Sequence, residues 1–254
     1  MPLLEVEEVK VEFGGVVALD DLSFEIEAGQ ICALIGPNGA GKTTLFNCVS
    51  RIYKPTAGRI RFDGHDLLAA APHRIARLGI TRTFQNLALF PTLSVIDNVM
   101  AGAHTLGHLG PLRSALRLGK AREESRLRDL GRRLLARLSL DHLAEHPAAE
   151  LPYGTLKRVE IARALAAEPR LLMLDEPAAG LTHSEVDELA ATIRSIRDEF
   201  DLTVLLVEHH MAMVMGISDR VVVLDFGSKI AQGTPEQVRN DPRVIEAYLG
   251  SPAA

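Results

Sequence analysis

Ile31-Cys32-Ala33-Leu34-Ile35-Gly36-Pro37-Asn38-Gly39-Ala40-Gly41-Lys42-Thr43-Thr44 sets the reading of this chain. Its first five residues are apolar without interruption, the pattern of a strand buried on both faces of a parallel sheet. Gly36 to Thr43 then matches, in full, a phosphate-wrapping turn that opens a helix. Gly36, Gly39 and Gly41, with Pro37, Asn38 and Ala40 between them, let the backbone approach closely. Its N–H groups and the helix N-terminus then face phosphate oxygens. Lys42 reaches the β- and γ-phosphates, and the Thr43 hydroxyl suits a Mg²⁺ position beside Thr44. The following helix carries Leu45, Phe46, Val49 and Ile52 on one face. Strand, turn and helix in that order make a nucleotide the expected ligand.

Outward from this turn, the same buried-strand texture returns at Leu171–Leu174, Val204–Val207 and Val221–Leu224, with helical connections between them. Such βαβ spacing predicts a doubly wound parallel sheet and an α/β fold. Before the turn, Leu4, Val6, Val9, Val11 and Phe13, then Leu22, Phe24 and Ile26, alternate with polar residues, as antiparallel strands with one solvated face do. Asp63-Gly64 signals a tight turn in a second strand pair. From about residue 85 to 151, strand signals give way to Leu127, Leu130, Leu134 and Leu138 at helical spacing. A helical insertion is expected there, with Glu124 supporting Arg128 one turn on.

The strand Leu171–Leu174 ends in Asp175-Glu176. A carboxylate closing a buried apolar strand is costly unless it is used or paired. Asp175 suits Mg²⁺, through water, and Glu176 suits polarisation of an attacking water, so hydrolysis is expected rather than binding alone.

With 28 Lys and Arg against 33 Asp and Glu, the formal charge is −5, which gives no support for a nucleic-acid partner. Cys32 and Cys48 read as two buried thiols in a reducing compartment, not a disulfide framework. The first eight residues do not read as a signal peptide, and no uncharged apolar run is long enough to span a bilayer.

Five elements in order resemble the ATP-binding cassette ATPases. They are the turn at 36–43, Gln85 in Thr81-Arg82-Thr83-Phe84-Gln85, Leu151-Pro152-Tyr153-Gly154-Thr155, Asp175-Glu176-Pro177, and Glu208-His209. The resemblance implies ATP and Mg²⁺ as ligands and a P-loop NTPase (RecA-like) core over 1–84 and 160–234. An N-terminal antiparallel β-subdomain, a helical signature subdomain over 85–159 and a tail over 235–254 complete the expected cassette. It further implies that Phe13 stacks on adenine, and that Gln85 senses Mg²⁺ and water and links the site to a membrane partner. His209, rather than His210, is implied to contact the γ-phosphate. Tyr153, Gly154 and Thr155 are implied to meet ATP held by a second subunit in a head-to-tail dimer.

Two departures stand out. Pro152 replaces the family's usual serine and offers neither hydroxyl nor N–H, so weaker closure or slower turnover is expected. Ala178-Ala179-Gly180-Leu181-Thr182 lacks the usual aspartate, leaving Thr182 to bond across a dimer.

Phe13-Gly14-Gly15, Glu176–Leu181, His209–Met215 and the tail with Tyr248-Leu249-Gly250 are similar to the ATP-binding subunits of branched-chain amino acid importers. That likeness implies transmembrane permeases, a second ATPase subunit, identical or not, and, indirectly, a solute-binding protein. The chain would then lie at the cytoplasmic face of the membrane. Relatives carry urea, amides or aromatic acids, so those cargoes stay open, as do an exporter and a non-transport ATPase. The last class usually has two cassettes or a long coiled coil. Leu87, Leu89, Phe90, Leu93 and Val95 are expected near the permease contact.

Overall fold

The computed structural model describes residues 2–83, 87–106 and 120–249. Its strands are β1 (Pro2–Phe13), β2 (Val16–Glu27), β3 (Ile31–Ile35), β4 (Ala57–Phe62), β5 (His65–Asp66), β6 (Ile80–Arg82), β7 (Leu171–Asp175), β8 (Thr203–Val207), β9 (Arg220–Asp225) and β10 (Ser228–Gly233). The described helices of five residues or more are α1 (Lys42–Val49), α2 (Val95–Gly102), α3 (Lys120–Arg137), α4 (Tyr153–Leu165), α5 (His183–Phe200), α6 (Met211–Ile217), α7 (Pro235–Arg239) and α8 (Pro242–Leu249). The chain divides into two compact units, residues 1–75 with 170–254, and residues 76–169.

In the first unit, one antiparallel sheet runs β2-β1-β4-β5. The alternation in its sequence becomes alternation in burial: Leu4, Val6, Val9 and Val11 of β1 and Leu19, Leu22, Phe24 and Ile26 of β2 point into the core. Val6 lies opposite Phe24 and Ile60, so the register stacks apolar residues across three strands. Asp63 and Gly64 take φ of 51° and 74°, the two left-handed residues of a hairpin turn.

The second sheet of this unit runs β10-β9-β3-β8-β7. β3, β7, β8 and β9 are parallel, while β10 returns antiparallel to β9. Every residue of β3, β7 and β8 is buried, as the apolar runs Ile31–Ile35, Leu171–Leu174 and Val204–Val207 require; Asp175 and Thr203 are the buried polar residues at the ends of β7 and β8. The register places Val207 beside both Leu34 and Asp175. The segments leaving β3, β7 and β8 therefore emerge side by side at the carboxyl edge, where open α/β sheets bind ligands. Cys32 and Cys48 are buried free thiols, and burial pushes their pKa values up to about 12 and about 11.

In the second unit, α2, α3 and α4 bury Val95, Ile96, Val99, Leu134, Leu135, Val159 and Ile161, and Leu138 is buried just past the end of α3. Val95 is thus core, whereas Phe90 and Leu93 stay exposed. The buried Asn98 holds the segment that carries them. Its Oδ1 accepts the Phe90 N–H at 2.7 Å, and its Nδ2 donates to the Phe90 and Ser94 carbonyls at 3.0 Å each. Arg128 does not take up the expected local pairing with Glu124. Its guanidinium reaches Glu145 instead, at 3.2 Å, because that carboxylate is presented to it by the turn after α3. No helix among the described residues is long and apolar enough to cross a membrane.

Candidate nucleotide site

The turn after β3 is shaped by two close approaches. A Cβ on Gly36 would lie 2.1 Å from the Leu224 carbonyl oxygen of β9. One on Gly41, where φ is 99°, would lie 2.6 Å from the Leu19 side chain and 2.7 Å from the Ala18 carbonyl oxygen. Both contacts involve packed neighbours, so any larger residue shifts the loop. Asn38 and Gly39 remain exposed at its crest, and Ala40 is buried beneath.

Lys42 opens α1, and its ammonium donates to the Gly36 and Pro37 carbonyls at 2.7 and 2.9 Å. Burial lowers its pKa, opposed by the nearby carboxylates of Glu176 and Asp175. The cation is thus held between its own loop and the acidic end of β7. Thr43 is exposed and Thr44 half-buried in the first turn of the same helix. Thr43 and the buried Asp175 supply hard oxygen donors, a set that fits Mg²⁺. Among the described residues no group of three or more His, Cys, Asp or Glu could hold a metal ion.

Glu176 has φ of 49°, left-handed for a residue with a side chain and worth roughly 1–2 kcal/mol of strain. Its N–H donates to the Val207 carbonyl at 2.8 Å, which locks that conformation to β8. The half-exposed His209 brings Nε2 within 3.3 Å of a Glu176 carboxylate oxygen. Lys42, Asp175, Glu176 and His209 therefore converge at one edge of one sheet, although the sequence separates them by up to 167 positions.

Phe13 ends β1 with 46% of its surface exposed, its ring meeting Tyr53 edge-on at 5.1 Å between centroids. Tyr153, Gly154 and Thr155 form the first turn of α4 in the second unit. Pro152 occupies the N-cap position and contributes no side-chain cap. The buried Lys157 places its ammonium 5.5 Å from the exposed Tyr153 ring. Gln85 lies outside the described residues. The Thr182 hydroxyl donates to Glu185 at 2.7 Å, so within this chain it is engaged in capping α5.

Two participants escape sequence reasoning. Glu208, read there only as the residue before His209, is buried and accepts three backbone N–H groups. No local pattern signals this, because the bonds depend on where β7 and β8 end. Tyr248 of α8 presents its phenol to the Gly36 N–H; that contact partly offsets the rise in its pKa caused by burial. The tail motif thus reaches the start of the phosphate-binding turn.

Residues 19–179 match the family model described as ABC transporter. Residues 228–254 match the model described as branched-chain amino acid ATP-binding cassette transporter. The chain is 43% identical over 250 residues to the high-affinity branched-chain amino acid transport ATP-binding protein BraF of Pseudomonas aeruginosa. It is 44% identical over 250 residues to LivG, of the same description, from Escherichia coli K12. Each alignment covers 98% of this chain and 98% of the relative. Among solved structures, the ADP conformation of MJ1267, an ATP-binding cassette of an ABC transporter, superposes with a TM-score of 0.86 at 30% identity, covering 99% of this chain and all of that one. A structure of cbiO1 from Clostridium perfringens, part of the cbiONQ transporter complex, gives 0.82 at 31%, covering 98% and 94%.

Proposed function

The chain belongs to the ABC transporter family as one of its ATP-hydrolysing, nucleotide-binding subunits, and from that membership we propose that it powers import of branched-chain amino acids. The observation that supports this cargo is likeness from end to end. Identity of 43–44% to branched-chain subunits runs over 98% of the chain, and the tail from residue 228 matches a model named for that transport.

In this reading the β- and γ-phosphates of ATP lie in the turn Gly36–Thr43, against its N–H groups and the Lys42 ammonium. Phe13 stacks on adenine, and Thr44 adds to the loop's grip. Thr43 and Asp175, with Gln85 added by the family resemblance, would hold Mg²⁺, which when bound would neutralise charge on the phosphate oxygens. Glu176 orients the attacking water, and His209, 3.3 Å from it, contacts the γ-phosphate. The strained backbone at Glu176 fits a residue held for chemistry rather than for packing.

Two ATPase subunits close head-to-tail, each offering Tyr153, Gly154 and Thr155 to the nucleotide of the other. The first turn of α4 supplies unpaired N–H groups and positive dipole for that contact. Closure drives permeases in the membrane, contacted through the exposed Phe90 and Leu93, with a solute-binding protein delivering cargo on the far side. The subunit then works at the cytoplasmic face.

Co-expression with branched-chain amino acid permeases and a solute-binding protein, followed by reconstitution in vesicles, tests the reading. ATP-dependent uptake of labelled leucine, isoleucine or valine is expected. Uptake of urea, an amide or an aromatic acid in their place would overturn the cargo.

A further inference from the structure

We infer that Glu208 is a positioning residue for hydrolysis: its buried carboxylate brackets the two segments that hold Glu176 and His209 in register. The inference rests on the assignment of those two residues proposed above and deepens it.

Glu208 follows directly on β8 and is 2% exposed. One oxygen, Oε1, accepts the Ala178 N–H at 2.9 Å, from the segment after β7, two residues past Glu176. The other, Oε2, accepts the N–H groups of His209 at 2.8 Å and His210 at 3.0 Å, from the segment after β8. A single carboxylate therefore satisfies three buried or half-buried backbone donors from two different crossovers. Neutral side chains do this less well, because a carboxylate has two acceptor oxygens and no donor.

Further bonds run between the same two segments. The Glu176 N–H donates to the Val207 carbonyl at 2.8 Å, one residue before the bracket. His210 and His183, at the start of α5, meet edge-on with ring centroids 5.7 Å apart. Within this frame the His209 ring stands 3.3 Å from the Glu176 carboxylate. Glu208 itself is turned into the backbone and is not placed to touch a nucleotide. Its contribution is to fix where two reacting side chains begin, the kind of support on which geometry-sensitive catalysis depends.

Glu208→Gln keeps the shape but replaces one acceptor oxygen with an amide NH₂ that faces N–H donors. Purified wild type, Glu208→Gln, His209→Ala and the double variant form a cycle, read by steady-state ATPase, by ATP titration and by amide exchange. Glu208→Gln is expected to lower kcat at least about tenfold while the ATP dissociation constant stays within about threefold. Exchange is expected to quicken in peptides covering 176–182 and 207–213 and nowhere else. In the His209→Ala background the same change is expected to cost under about threefold, because both substitutions break one arrangement.

Turnover within about twofold of wild type, or simple multiplication of the two single effects, would overturn the inference. So would a fall in kcat matched by loss of ATP affinity, which marks a general defect of folding. Glu208→Asp guards against a glutamine variant that does not fold. It keeps the charge but is one methylene too short to span both segments, and it must show the same split between kcat and affinity. The exchange arm needs no turnover. A wild-type chain without ATPase activity would defeat the assignment of Glu176 and His209, while the bracket stands or falls on exchange.

Discussion

Glu176 and Glu208 occupy equivalent places, each the first residue beyond a buried parallel strand, yet the fold uses them in opposite ways. Glu176 leaves β7 in a left-handed backbone conformation, with its carboxylate beside His209 and close enough to Lys42 to oppose the lowering of that lysine's pKa by burial. Glu208 leaves β8 with its carboxylate turned inward, where it accepts three backbone N–H groups. One glutamate faces the place where phosphate is expected; the other holds the frame. Position at a strand's carboxyl end thus marks a neighbourhood for chemistry, and backbone direction decides which side chain performs it.

The same substitution at both places breaks the comparison most directly. Glu176→Gln is expected to slow ATP hydrolysis at least about a hundredfold while ATP binding persists, measured by phosphate release and by titration of nucleotide. That loss exceeds the one expected at Glu208, since a group acting on the water forfeits more than one that orients it at second hand. If Glu176→Gln turned over near the wild-type rate, the hydrolytic assignment would move off this residue.

What could be read from sequence follows the same division. The strand-turn-helix at Ile31–Val49, the acidic strand end at Asp175-Glu176 and the antiparallel alternation of β1 and β2 are local patterns. The covalent chain alone places those residues relative to one another. Glu208 and Tyr248 are different. Glu208 acquires its partners because β8 lies beside β7, and Tyr248 meets Gly36 because the tail folds back on the core. The Arg128–Glu145 pair shows this in reverse: helical spacing offers Glu124, but a turn brings Glu145 nearer. Long-range pairing is set by topology, which periodicity reports only coarsely.

A second comparison lies within the other unit, where Asn98 does for one loop what Glu208 does for two segments. It is fully buried and bonds to the Phe90 N–H and to the Phe90 and Ser94 carbonyls. Asn98→Ala removes the acceptor of the part-buried Phe90 N–H and empties a fully buried side-chain site, at about 2 kcal/mol together, and thermal unfolding should start about 4–8 °C lower. Coupled uptake in vesicles should fall further than ATPase activity of the isolated subunit, because the loop carries exposed Phe90 and Leu93 rather than a reacting group. Equal loss of both would mean that Asn98 supports the whole unit and not this loop in particular.

The smallest effect is expected at Pro152, where the departure from the family pattern is greatest. Its φ of −57° and ψ of 151° suit an N-cap, but proline offers α4 no side-chain acceptor. Serine there would cap the first turn, worth about 1 kcal/mol. Losing proline's restriction of the unfolded chain returns about 0.4–1 kcal/mol in the other direction. The two contributions nearly cancel, so Pro152→Ser should move the unfolding midpoint by less than about 3 °C. Turnover should hold or rise, since the new hydroxyl adds a donor where the partner's γ-phosphate is proposed to dock. A fall of more than about tenfold in kcat, with the midpoint unchanged, would show that this subunit depends on proline to aim Tyr153, Gly154 and Thr155. The departure would then be a requirement of its signature turn and not a tolerated weakening.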